Sequence, residues 1–267
     1  MRHEMEKSFM TTLLLLTLSL LAALFVNAAE IPAGTKPTIL VYTHNGLTLE
    51  GKPGYVHDNI AECVKAIQKI GAENGFDVVH SNDPAVFTNT PLEKFRAIVF
   101  ANSNNKAFDT EAERKAFQDY VHGGGGFVGI HSASGSERDS RWFWNLIGGT
   151  FAWHPPLQKF RIRIEDKNHP ATRFFPADTW DWEDEFYVIK EQPKDLHILL
   201  TGNIKPLRGV GDKADGLADH LPLAWYHTFE GARSFYTALG HKKEYYSDPM
   251  FVKHLTGGIL WAAKLNE

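Results

Sequence analysis

The sequence predicts one α/β domain built on a flavodoxin-like, doubly wound and mostly parallel sheet. Three observations carry this. Strand and helix signals alternate from Pro37 to Ile130, the strands are near-continuous apolar runs, and the glycine-rich stretch Gly123 to Gly135 delivers a histidine where the fourth strand ends. Apolar strands of that kind are the ones that helices cover on both faces, and successive βα units join them by right-handed crossovers. Such a sheet binds its ligands outside the carboxyl ends of its strands.

The chain opens with Arg2 and Lys7, an apolar run from Leu13 to Val26, and small residues at Val26 and Ala28 where a signal peptidase reads. Residues 1–28 are therefore expected to be a cleaved secretory signal, because the run falls short of the roughly 20 apolar residues an anchor needs. Residues 29–267 then form a single domain, periplasmic or extracellular, with no stable membrane insertion after cleavage. The leader removes two basic and two acidic residues, so the net charge of −4 is unchanged. That charge gives no support to nucleic acid or an anionic membrane as a partner. Cys63 is the only cysteine, which excludes an internal disulfide and a cysteine-based zinc site.

Pro37 to Tyr42 is the first predicted strand. His57 to Asn74 is a helix, with Ile60, Cys63, Val64, Ile67 and Ile70 on one face and Gly75 as its stop. Phe76 to Val79 is the second strand and Phe95 to Ala101 the third. Thr110 and Glu113 form a capping box that opens a helix to about His122, with Gly123 as its stop. Phe127 to Ile130 is the fourth strand, ending on His131. Phosphate loops place their glycines after a strand and at a helix start; here they precede the strand, so no nucleotide is expected. Past residue 150 the pattern loosens into extended segments at Phe160 to Ile164, Phe186 to Ile189, Leu196 to Leu200, Leu223 to Tyr226 and Ser234 to Leu239. These either extend the sheet or form an antiparallel excursion. Asp248 to Lys264 closes the chain as an amphipathic helix.

His131 stands where a related strand-turn-helix elbow would carry a nucleophile. An imidazole there suits proton transfer or metal ligation better than acyl chemistry. Six ordered blocks go further: GGGFVGIHSA at Gly124 to Ala133, IGGTF at Ile147 to Phe151 followed by His154-Pro155, NHPAT at Asn168 to Thr172, DEFY at Asp184 to Tyr187, PLAWYH at Pro222 to His227, and GARSFYTALGH at Gly231 to His241. Together they resemble the ThuA-like (trehalose-utilisation) family, over most of the chain from Pro37 to Trp261. The resemblance implies a class I glutamine amidotransferase-like fold in which His131 occupies the place of the amidotransferase cysteine. It also implies a role in carbohydrate metabolism, often beside sugar oxidoreductases that make 3-keto sugars. Ser234 departs from the bulkier aliphatic residue usual after GAR.

The expected partner is a small sugar or sugar derivative, with a sugar oxidoreductase as a possible second partner. His131, Glu185 and His241 are the candidate catalytic residues. Glu185 belongs to the run Glu183-Asp184-Glu185, in which alternation along a strand would turn Asp184 away from its two neighbours. Trp153, His154, Trp182 and Trp225 are the candidate sugar contacts, since pyranose C–H faces stack on indole. His131, His154 and His241 are also candidate ligands for a divalent metal such as zinc, although no HxH or HExxH spacing fixes such a site. A metal-free His/Glu acid–base pair accounts for the same residues. His44 and His57 flank the long loop after the first strand, and His169 precedes Pro170 in a turn. Two function classes follow: an exported enzyme acting on a sugar or keto-sugar glycoside, and a non-catalytic sugar-binding subunit serving an oxidoreductase.

Overall fold

The computed structural model describes residues 36–265; the leader read from residues 1–28 lies outside them. The chain runs β1 (Thr38–Tyr42), α1 (Ile60–Asn74), β2 (Asp77–Ser81), α2 (Val86–Asn89), β3 (Phe95–Ala101), α3 (Glu111–His122), β4 (Gly126–Ile130), α4 (Arg141–Ile147), β5 (Thr150–Trp153), β6 (Gln158–Ile164), β7 (Thr179–Asp184), β8 (Val188–Lys190), β9 (His197–Asn203), β10 (His220–Phe229), β11 (Ala232–Thr237) and α5 (Pro249–Ala262). A nine-stranded sheet has the order β2-β1-β3-β4-β11-β10-β9-β6-β7, and β5 and β8 form a separate antiparallel ribbon. Strands β2-β1-β3-β4-β11 are parallel, the 2-1-3-4-5 order of a flavodoxin-like sheet. From β11 through β10, β9 and β6 to β7, each pairing is antiparallel.

Burial explains the parallel part. Ala97 to Ala101 on β3 are fully buried, as a strand covered on both faces requires. Helix α1 covers it with Cys63, Ile67 and Ile70, and α3 with Phe117 and Val121. The capping box of α3 is formed as expected: Thr110 Oγ1 accepts from the Glu113 amide, and Glu113 Oε2 accepts from the Thr110 amide. The glycines before β4 serve packing. A Cβ on Gly126 would stand 2.3 Å from the Ala262 carbonyl oxygen, so only glycine lets α5 lie this close to the start of the strand.

The antiparallel part places the rest of the site. Strand β7 is the last in the hydrogen-bonding order, yet Asp184 at its end accepts from the Gly240 and His241 amides that follow β11. The sheet therefore curls until the carboxyl ends of β7 and β11 meet, an extreme of the twist that all such sheets share. The segment expected as a strand from Phe186 to Ile189 divides: residues 185–187 leave the ladder, and Val188–Lys190 pair with β5. Gly148 and Gly149 turn α4 into that ribbon with φ of +92° and +138°, backbone that disfavours any side chain.

Helix α5 carries a buried histidine. His254 Nδ1 donates to the Ala171 carbonyl at 2.9 Å, which ties the 168–172 loop to the helix. Burial pushes its pKa from 6.5 down to about 4, against the opposing effect of that hydrogen bond. A depressed histidine contributes stability above the unfolded pKa that is lost as pH falls toward the folded one. Chemical denaturation should thus show a loss on the order of 3 kcal/mol from this group between about pH 6.5 and 4. His254→Gln should flatten that part of the profile; a variant as acid-sensitive as the parent would exclude the buried imidazole as its source.

Candidate functional site

Strand β4 ends at Ile130, and His131 follows with φ +51°. This is the left-handed region, which histidine tolerates better than most residues. The turn directs a fully buried imidazole along the carboxyl edge of the sheet. His131 Nδ1 lies 2.7 Å from the Ala238 carbonyl oxygen, an acceptor, so Nδ1 carries a hydrogen and Nε2 is the nitrogen left to face the site. That Nε2 has no hydrogen-bond partner and lies 3.6 Å from Glu185 Oε2.

Three further segments converge there. His241, four residues past β11, places Nδ1 3.1 Å from Glu185 Oε2, but the approach is off-line and the nitrogen has no aligned partner. His57, buried three residues before α1, sets its ring 4.8 Å from His131 and 5.3 Å from His241, both nearly edge to face. His154, just past β5, brings Nε2 to 3.6 Å from Glu185 Oε1 while Nδ1 donates to the Pro155 carbonyl. Tyr187 lies between, stacked on His131 at 4.3 Å and on His154 at 5.5 Å.

Two buried polar groups hold this arrangement. Asp184, without solvent exposure, accepts from Trp182 Nε1 at 3.0 Å, Glu185 N at 2.9 Å, Gly240 N at 2.9 Å and His241 N at 3.3 Å. Asn59 Nδ2 reaches the Gly240 and His241 carbonyls at 2.6 and 2.7 Å. Backbone on both sides of His241 is thereby fixed from two elements.

The charge states follow. Burial of Glu185 opposes ionisation, but His131 and His241 outweigh it and hold the carboxyl well below the usual carboxylate range. Burial, with His131 and His241 beside it, pushes His57 down to about 3, so this imidazole is neutral at pH 7. Burial lowers His241 as well, but contact with Glu185 prevails and its pKa is raised. An ionised Glu185 suits ligation or charge stabilisation, and is ill-suited to donate a proton at neutral pH.

The cluster opens into a pocket of about 340 Å³ that Asn104, Ser132, Arg138, Tyr55 and Phe151 also line. Arg138 lies with its guanidinium 5.3 Å from the centre of the Phe151 ring, and its Nε donates to the Gly135 carbonyl. Among the described residues no carboxylate forms an ion pair with it. Tyr55, at the mouth, is 63% exposed.

His131, Glu185, His241 and His154 thus come together, and His57 joins them. The tryptophans do not. Trp225 is buried against Tyr236 and donates to the Ile147 carbonyl. Trp182 packs among Trp180, Tyr245 and Phe251 and donates to Asp184. Trp153 is half-buried on the ribbon under Lys213 and does not line the pocket. These indoles pack in the curled sheet and its ribbon, and the aromatic surface at the pocket comes from Tyr55, Phe151 and Tyr187 instead. The ligand-type atoms of His57, His131, His241 and Glu185 all lie within 4.8 Å of one another, and His154 stands beside this group, 3.6 Å from Glu185 Oε1. Glu183 pairs with Lys242 at the surface. His44 and His169 lie apart, one against the Asn82 carbonyl and the other stacked on Tyr226. Arg138, Asn59 and the anchoring role of Asp184 were not foreseen; for Asp184 the DEFY block was the available signal.

The family model for ThuA, described as trehalose utilisation, matches residues 46–262. No curated protein matches the chain. Among solved structures, a ThuA-like protein of Bacteroides uniformis ATCC 8492 is 23% identical with a TM-score of 0.62, over 87% of this chain and 95% of that one. A ThuA-like protein of Parabacteroides merdae ATCC 43184 is 21% identical with a TM-score of 0.64, over 86% and 90%. At these identities the likeness is one of fold.

Proposed function

Since the chain belongs to the ThuA (trehalose utilisation) family, whose description points to carbohydrate metabolism, we propose that it is an exported enzyme acting on a sugar or keto-sugar glycoside by acid–base chemistry. One observation carries this reading: three imidazoles and a carboxylate, drawn from four separate segments, face one another at the carboxyl edge of the sheet. Buried polar groups normally find partners. Ring nitrogens without them, beside a pocket, are placed to meet a ligand.

The roles follow from the geometry. His131, with Nδ1 fixed as a donor to Ala238, offers Nε2 as a base or, where an ion is bound, as its ligand. His241, its pKa raised beside Glu185, is the better proton donor. Arg138, Asn104 and Ser132 supply donors for hydroxyl or keto oxygens, and Tyr55 supplies an exposed ring for a C–H face. A 3-keto substrate would come from a sugar oxidoreductase, the partner this reading implies. If the chain is exported, the mature protein should begin at Ala29 by mass spectrometry, whereas an intact Met1 would count against export.

The direct test presents purified protein with disaccharides and their 3-keto forms and follows product release. Turnover of at least one of them is expected, with Arg138→Ala raising KM about tenfold or more. Tight sugar binding without turnover across the panel, abolished by Tyr55→Ala, would replace this reading with that of a sugar-binding accessory subunit.

A further inference from the structure

We propose that His57, His131, His241 and Glu185 bind one divalent first-row transition-metal ion, with a position left open toward the pocket. One ligand-type atom from each residue lies within 4.8 Å of all the others. Ligands at about 2.1 Å around a tetrahedral zinc stand about 3.4 Å apart. Side-chain rotations of about an ångström therefore bring the four onto a single ion.

Three observations point to an ion in preference to a network of shared protons. First, His57 Nδ1, His131 Nε2 and His241 Nδ1 are all buried ring nitrogens without a hydrogen-bond partner. His57 and His131 are 5% and 0% exposed, so solvent does not satisfy them. An unsatisfied buried polar atom costs about 1–3 kcal/mol, and three in one place call for a common partner. Second, the carboxylate does not fill that role. His131 and His154 stand 3.6 Å from it, beyond hydrogen-bonding range, and the 3.1 Å approach of His241 is misaligned. Third, the remaining nitrogen of His131 donates to the Ala238 carbonyl, the outer contact that fixes a ligating imidazole in its tautomer.

The donor set selects the class of ion. Three imidazole nitrogens and one carboxylate oxygen suit zinc and its first-row neighbours and are poor for calcium or magnesium, which take oxygen ligands. The cluster faces a pocket with Arg138, Asn104 and Ser132 across from it, so a fifth position, of the kind zinc takes when it expands beyond four ligands, would be open to a ligand. On the reading proposed above, the open position would take the keto or hydroxyl oxygen of a sugar and polarise it. The metal site itself does not depend on that reading.

The test uses the full chain purified without chelator or imidazole. Elemental analysis should find about one equivalent of a first-row metal. Chelator-treated protein should take up Co²⁺ with the visible absorption of a nitrogen-rich site of four or five ligands, and Zn²⁺, Mn²⁺ or Co²⁺ should raise its Tm. His57→Ala and Glu185→Gln should each weaken Zn²⁺ affinity at least about tenfold, while His220→Ala, on exposed β10, should leave it unchanged. If the parent protein binds none of these ions stoichiometrically, the proposal falls whether or not the variants fold. A bound metal without turnover on any sugar would leave the metal site standing and overturn the enzymatic reading.

Discussion

Replacing His131 by asparagine is expected to lower turnover of the sugar substrate by about 10²-fold or more, with the domain still folded. Asparagine is chosen because it tolerates the φ of +51° at this position, where alanine would be strained, and because it retains a polar side chain beside the Ala238 carbonyl. It cannot supply a basic nitrogen at Nε2. Steady-state kinetics beside near-ultraviolet circular dichroism would separate lost chemistry from lost structure. A folded His131→Asn protein with parental kcat, combined with loss of sugar binding in Tyr55→Ala, would end the catalytic reading.

Asp184→Ala is expected to have the largest effect on stability. Its carboxylate takes four N–H donors, and truncation leaves the Gly240 and His241 amides and the Trp182 indole without an acceptor. Burial raises the carboxyl pKa overall, and the nearby His131 and the donors from Gly240, Trp182 and Glu185 offset it only in part. Three buried donors left unsatisfied, at about 1–3 kcal/mol each, give a loss of about 3 kcal/mol or more. At about 2–4 °C per kcal/mol for a domain of this size, Tm should fall by roughly 10 °C. Asp184→Asn keeps one acceptor oxygen and should fall less, yet it should still lower kcat, because Glu185 and His241 hang on the same side chain. Parental thermal stability in Asp184→Ala would show that the β7 to β11 closure does not rest on this residue.

The parallel half was legible because its signals are local. The bounds of β3 match the apolar run, the α3 cap matches its motif, and His131 lies where the strand ends. The curl of the antiparallel half is not local, so nothing in the sequence announced that β7 would return to β11. Strand β7 itself was hidden: it is an edge strand, and Asp181, Glu183 and Asp184 broke its apolar pattern. The run Glu183-Asp184-Glu185 could be read as alternation but not aimed. Alternation holds for Glu183 and Asp184, whereas Glu185 lies beyond the strand and follows the loop. The use of the tryptophans could not be read from the sequence, for a simple reason. Indole serves a sugar platform and a packed core equally well, and only tertiary placement separates the two uses.

The contact between Asn59 and the His241 carbonyl joins positions 182 residues apart. Loops of that length close late, after local helices and neighbouring strands have formed. The pocket is thus expected to be among the last features to assemble and the first to come apart. Any ligand that grips His57, His131, Glu185 and His241 together would act as a staple across segments absent from one another's company in the folding transition state. Such a staple slows unfolding while leaving the folding rate nearly unchanged.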